Sequence, residues 1–209
     1  MTTFANLKSR IEGYLDRTDI NSEIGTAINK SIEFYSKYPF WFAETSTTFS
    51  TVADQETYGT GDGLPSDLRR IVYLKITISG SDYDLKERPI GWLQDQDPSN
   101  NSGQPEYYVF YGSKIYLYPI PDDAYTVTIF YKKNYSALSA DGDENDFTTN
   151  EQAISLIEAH TLWRIYKYVL HDKEEAEDAK DAIRNEFQAL KTISDGLTSI
   201  GNYVKPTDF

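Results

Sequence analysis

Apolar residues recur at helical spacing at both ends of the chain and at alternate positions through its middle. Phe4, Leu7, Ile11 and Leu15 share one helical face, with Thr2 or Thr3 placed to cap the first turn. Asp19-Ile20-Asn21-Ser22 interrupts that helix, and Ile24, Ala27, Ile28, Ile32 and Tyr35 mark a second amphipathic one. Pro39 ends it near Tyr38, because the residue before a proline is pushed out of the helical region. The dense cluster Pro39-Phe40-Trp41-Phe42 reads as core at the joint between this helical part and the next, the alternative being an exposed aromatic anchor.

From Ala43 the period changes to two. Thr45, Thr47, Phe49 and Thr51 alternate as a strand, and residues 55–58 form a short one. Residues 68–79 make the longest strand, which Gly80-Ser81-Asp82 turns into a partner near 83–85. Residues 90–95 fit one turn of helix carrying Trp92, and 97–104 is a polar loop. Then comes the stretch everything else leads into. Strands at 107–111 and 114–118 are joined by Gly112-Ser113, and Pro119 and Pro121 stop the ladder. A third strand of this meander runs through 125–131, with Tyr125, Val127, Ile129 and Tyr131 on one face.

After a second polar loop at 136–150 the chain is helical again. Thr148 and Glu151 fit the spacing of a capping box. The helix they open is apolar round most of its circumference, from Ile154 to Leu170, which predicts burial on several sides. Asp172-Lys173 breaks it. In the last helix, from about 174 to 200, Ala176, Ala179, Ile183, Phe187, Leu190, Ile193, Leu197 and Ile200 form a narrow stripe, the mark of a two-helix seam. At 1.5 Å per residue that helix is ~40 Å long. Phe187, Leu190, Ile193 and Leu197 are the expected subunit interface.

The order helix–helix, strands, helix–helix predicts an α+β fold. Its expected form is a four-helix bundle made by the N-terminal and C-terminal helix pairs, with an antiparallel β module, sandwich or small barrel, inserted between them. The expected domains are a discontinuous helical one (1–42 plus 137–200), the β domain (43–136) and a C-terminal tail (201–209).

Charge and composition narrow the function. The net charge of −13 argues against wrapping a phosphate backbone, which takes Lys and Arg. The chain has no cysteine, so stability comes from packing and assembly rather than disulfides or thiolate–metal bonds. No signal-like or membrane-spanning apolar run is visible, so synthesis in the cytoplasm and no membrane partner are expected. The 17 tyrosines suit either a small β core with hydroxyls at its rim or an interface.

Candidate chemistry is thin. Asp141-Gly142-Asp143-Glu144-Asn145-Asp146 begins like a calcium loop, but Asp146 stands where glycine is needed and Gln152 where glutamate is needed. His160 and His171, eleven residues apart on one expected helix, lie ~16 Å apart and cannot share a metal. Residues 59–63 lack the Lys-Ser/Thr and the helix of a phosphate loop, and no nucleophile elbow or dinucleotide fingerprint is present. No catalytic residue, metal or cofactor is expected. A hydrolase using the carboxylates of 141–146 is disfavoured.

The order of several short motifs carries a resemblance. Ala27-Ile28-Asn29 precedes Pro39-Phe40-Trp41-Phe42; Leu64-Pro65-Ser66-Asp67-Leu68-Arg69-Arg70 follows; then come Pro105-Glu106-Tyr107, Gly112, Ile115, Leu117, Tyr118-Pro119-Ile120-Pro121 and Tyr131. Across nearly its whole length the chain resembles the adaptor, or head-to-tail connector, proteins of tailed bacteriophages. That resemblance implies a structural virion protein at the head–tail junction. It would be a homo-oligomeric ring, commonly of twelve copies, between the portal protein ring and the tail or nozzle protein. The ring would extend the channel through which DNA is ejected, without specific DNA binding, and an acidic lumen would repel the DNA. The tail residues Tyr203, Val204, Lys205, Pro206 and Phe209 are the expected portal contact, ordering on binding. The alternative is a glycan-binding β module of a tail or fibre component.

Overall fold

The computed structural model describes residues 2–38, 40–96 and 101–201, with side chains through 197. In chain order its elements are α1 (Phe4–Leu15), α2 (Asn21–Tyr35), β1 (Glu44–Ser50), β2 (Thr57–Tyr58), β3 (Leu68–Ile78), β4 (Ser81–Asp84) and β5 (Lys86–Glu87). There follow α3 (Ile90–Gln94), β6 (Ser102–Gly103), β7 (Tyr107–Tyr111), β8 (Lys114–Tyr118), β9 (Ile120–Pro121) and β10 (Thr126–Lys133). The chain closes with α4 (Asp146–Thr149), α5 (Glu151–Ile165), a π-turn (Tyr166–Leu170) and α6 (Lys173–Gly201). The fold is α+β. It divides into two compact units, Met1–Ala43 with Tyr135–Phe209, and Glu44–Asn134.

In the helical unit α5 is the central element. Ala153, Leu156, Ile157 and Ile165 are fully buried, and α1, α2 and α6 all pack against it. Where α2 crosses α5 the side chains are small: buried Thr161 donates to Ser31, which donates to the Ala27 carbonyl. Phe40 is buried in this core, against Phe42 and Phe147. Thr3 caps α1 by accepting from the Asn6 N–H, and Asp16 ends it in the left-handed conformation.

The capping of α5 differs from the sequence expectation. Asn145 caps the one-turn α4, with Thr148 answering from its third position, and Asn150 caps α5 by accepting from the Gln152 and Ala153 N–H groups. Two asparagines therefore do what was assigned to Thr148 and Glu151. An asparagine side chain reaches the amides two and three residues on from extended backbone, and it is the stronger cap.

The β unit has two four-stranded sheets, ordered β1-β10-β3-β4 and β2-β8-β7-β5, and a two-stranded pair, β6-β9. Pairing is antiparallel except for the short β5–β7 and β6–β9 contacts, which are parallel. Both four-stranded sheets contribute to one core that includes Leu74, Ile76, Ile115, Leu117, Val127 and Ile129. Two-residue turns close two hairpins, with positive φ at Ser79 and Gly80 and at Gly112 and Ser113. Both central residues left-handed is the geometry that matches strand twist.

The three-strand meander is not formed. β7 and β8 pair as expected, but β10 lies in the other sheet, between β1 and β3. The alternation along β10 is as read, with Val127, Ile129 and Tyr131 buried and Thr126 and Phe130 exposed. Its neighbours are the long strands β1 and β3, which match its eight residues, whereas the five-residue β8 would leave part of its ladder unpaired.

Candidate functional site

The chain re-enters the helical unit at Tyr135, and one side chain fixes that return. Asn29 on α2 donates to the Leu138 carbonyl at 2.8 Å and accepts from the Leu138 N–H at 2.9 Å. The acidic loop that follows caps α1. The carbonyls of Asp141 and Asp143 accept from the Ala5 and Phe4 N–H groups, which have no partner within their own helix. Lys8 pairs with Asp141 at 2.7 Å. The Asp143 carboxylate accepts from the Ser139 and Ala140 amides and the Ser139 hydroxyl, and these bonds hold it below the usual carboxylate range. The loop is thus built from inside, and among the described residues no group of His, Cys, Asp and Glu could hold a metal ion.

The π-turn separates the two histidines. It adds a residue to the last turn after α5, and His171 ends it in the left-handed conformation, outside regular helix. His160 is buried on α5 against Phe34, Tyr35 and Trp163. Burial pushes its pKa down to about 4, helped by nearby Arg164.

Around His160 lies a surface that sequence reasoning missed. Phe34 on α2 and Trp163 on α5 meet through His160, Tyr168 in the π-turn packs edge-on against Trp163, and Tyr38, just past α2, joins this aromatic patch through Tyr35. Phe34, Tyr38 and Tyr168 are 45%, 40% and 54% exposed, so their rings face solvent at substantial area. Cations cover it: Lys167 lies 4.6 Å from the Trp163 ring and 5.0 Å from that of Tyr168, Arg164 stands over Tyr168, and Lys37 over Phe34. The π-turn brings Lys167 and Tyr168 together here, and no periodicity in the sequence signals it.

The expected interface stripe on α6 divides. Leu190 is fully buried in the helical core, and Phe187 stacks on Tyr35 and meets Tyr38 edge-on. Ile193 and Leu197 are 36% and 43% exposed. The buried line continues instead through Ser194, so the apolar residues leave the core one position before the geometry does. Ile200 and the tail residues Tyr203, Val204, Lys205, Pro206 and Phe209 lie outside the described side chains.

In the β unit most of the bonded tyrosine hydroxyls meet carboxylates, and one is turned inward onto backbone. Tyr131 donates to Asp67 and Tyr125 to Asp122, Tyr73 bonds Asp84, and Tyr58, wholly buried, bonds backbone at Val52 and Gln55. Trp92 is closed on two sides by Tyr107 and Tyr118, with Arg88 over the Trp92 and Tyr107 rings. These rings are engaged with one another.

The described residues thus form a helical unit, with an aromatic surface patch and an internally bonded acidic loop, and a two-sheet β unit. Against known families, the SU10 adaptor protein family matches residues 2–203. The chain belongs to that family, and its resemblance to phage head-to-tail adaptors holds over nearly its whole length. Its role is that of a structural phage adaptor. A comparison with curated proteins finds no match. Among the described residues no helix is long and apolar enough to cross a membrane.

Proposed function

We propose that this chain is the subunit of an adaptor ring at the head–tail junction of a tailed phage. The ring holds the portal protein on one side and the tail or nozzle protein on the other, and extends the DNA channel between them. The observation that carries this reading is the family match over residues 2–203. In it α1, α2, α5 and α6 act as a four-helix bundle, and the β unit is an insertion in the chain between α2 and α4. The ring has twelve copies, and DNA passes without specific binding, as suits a net charge of −13. The subunit is made in the host cytoplasm and is not an enzyme.

Two contacts belong to this reading. Ile193 and Leu197 form a lateral seam between neighbours, Phe187 and Leu190 being occupied within their own subunit. Tyr203, Val204, Lys205, Pro206 and Phe209 engage the portal. The test is the mass of the purified chain in solution, alone and mixed with the portal ring of the same virus. A stoichiometric ring on the portal is the expected result. A chain indifferent to the portal overturns the reading and moves attention to glycan binding by the β unit. Within an assembling protein, deletion of residues 203–209 that leaves portal binding unchanged removes the tail from the account. Ring formation that survives Ile193→Asp with Leu197→Asp removes the seam.

A further inference from the structure

The helical unit carries a second surface whose chemistry is the complement of the aromatic patch. A groove of about 420 Å³ runs between α1, α5 and α6. Its walls are apolar, with Leu162 on α5 and Tyr14 on α1, the latter 58% exposed. Glu175, Asp178 and Glu186 line the α6 side, and buried Glu158 lies on the α5 side. The basic residues of this stretch of α6 are already committed elsewhere, Lys180 to Glu177 and Arg184 to Asp181. Among the described residues Glu175, Asp178 and Glu186 have no cation within ion-pair distance, and Arg10 at 2.7 Å compensates only Glu158.

The patch has the opposite sign. Lys167 lies over Trp163 and Tyr168 with no carboxylate partner among the described residues, and Arg164 lies beside it over Tyr168. In a chain of net charge −13 two copies repel in most orientations. This patch is where an approaching acidic surface meets cations and aromatic faces together, the residue types that interfaces concentrate. The groove offers an apolar slot rimmed by unpaired carboxylates. Leu162 and Trp163 are consecutive on α5, about 100° apart round the helix, so patch and groove face different directions and cannot close on each other within one chain.

We infer that the patch of one copy, with Lys167, Arg164 and Tyr168 at its centre, docks into the Glu175–Asp178–Glu186 groove of a second copy. The inference rests on the adaptor reading and gives its ring a second lateral contact. Joining two different surfaces makes the interface heterologous, so each copy offers a free patch at one side and a free groove at the other, and repetition closes a ring when the rotation between copies divides the full turn.

Charge swapping tests it. One variant carries Arg164→Glu and Lys167→Glu, the other Glu175→Lys and Asp178→Lys. Assembly on the portal ring is read by sedimentation. Each variant alone is expected to lose at least ~tenfold in assembly, since every interface then pairs like charges. An equimolar mixture restores it, because native patch meets native groove and reversed patch meets reversed groove in alternation. Either variant assembling as the unchanged chain does, or a mixture of folded variants that fails to recover, overturns the inference while the adaptor reading stands. If a variant does not fold, a zero-length carbodiimide cross-link decides on the unchanged protein. Rings built from ¹⁴N and ¹⁵N chains should give isotope-mixed peptides joining Lys167 to Glu175 or Asp178, and their absence from formed rings overturns it. An unchanged chain that forms no ring with or without the portal overturns the adaptor reading itself, and this inference with it.

Discussion

The imidazole of His160 stacks on the indole of Trp163, with ring centroids 5.2 Å apart and planes 10° from parallel. Phe34 and Tyr35 close around it, and burial lowers its pKa from 6.5 to about 4. Below pH 6.5 the unfolded chain therefore binds a proton that the folded chain refuses. Stability contributed by this neutral histidine is fully present above pH 6.5 and falls progressively toward pH 4. Denaturant melts between pH 6.5 and 5 should show this loss. His160→Phe, which keeps a flat ring and removes the titration, should flatten the slope across that window. An unchanged slope would mean that other groups set it.

Asn29 ties distant parts of the helical unit together, because it bonds both backbone groups of Leu138, 109 residues away. Asn29→Ala strands an N–H and a carbonyl that the surrounding core shields, and should cost about 2 kcal/mol. Asn29→Asp keeps the acceptor for the Leu138 N–H but sets a carboxylate against the carbonyl, so it should not restore stability. Urea unfolding midpoints at constant slope measure both.

Tyr58 plays the corresponding part in the β unit. Its ring is fully buried against Phe49, and its hydroxyl donates to the Gln55 carbonyl at 2.8 Å and accepts from the Val52 N–H at 3.1 Å. Tyr58→Phe removes only the oxygen. It should lower stability by about 1.5 kcal/mol without changing the fold. A loss within error of zero would show that water replaces both bonds.

These residues also show what the sequence could and could not disclose. Ile24, Ile28 and Ile32, or Val127 and Ile129, announce their elements because burial follows the backbone period, and Gly112-Ser113 announces its turn because few residues accept positive φ. The destination of β10 was hidden: alternation says which face of a strand is buried, not which strand lies beside it. On α6 the line of apolar residues passes through Ile193, while the buried line passes through Ser194, a small polar residue that hydrophobicity alone discounts. The patch at Trp163, Lys167 and Tyr168 depends on one π-turn, a change of helical pitch with no composition of its own. Asn29 was visible only as part of a motif, since its partner lies across the whole inserted unit.

The Arg10–Glu158 pair separates the worth of an ion pair from the cost of breaking it. Glu158 is 6% exposed, and burial raises its pKa while Arg10, 2.7 Å away, opposes the rise. Arg10→Leu leaves a buried carboxylate beside apolar neighbours. It should destabilise the helical unit by about 2 kcal/mol near neutral pH, and by less as acid protonates Glu158. The sign follows from linkage: without Arg10 the folded pKa of Glu158 rises further above its unfolded value, so the folded state holds a proton that the unfolded state releases, and stability declines as pH rises through that window. Adding Glu158→Gln removes the charge and should recover most of the loss, making the double variant more stable than Arg10→Leu alone. Denaturation of the four proteins at pH 5 and pH 7.5 gives the coupling directly. If Arg10→Leu costs the same at both values and Glu158→Gln recovers nothing, Arg10 acts through its aliphatic packing rather than its charge.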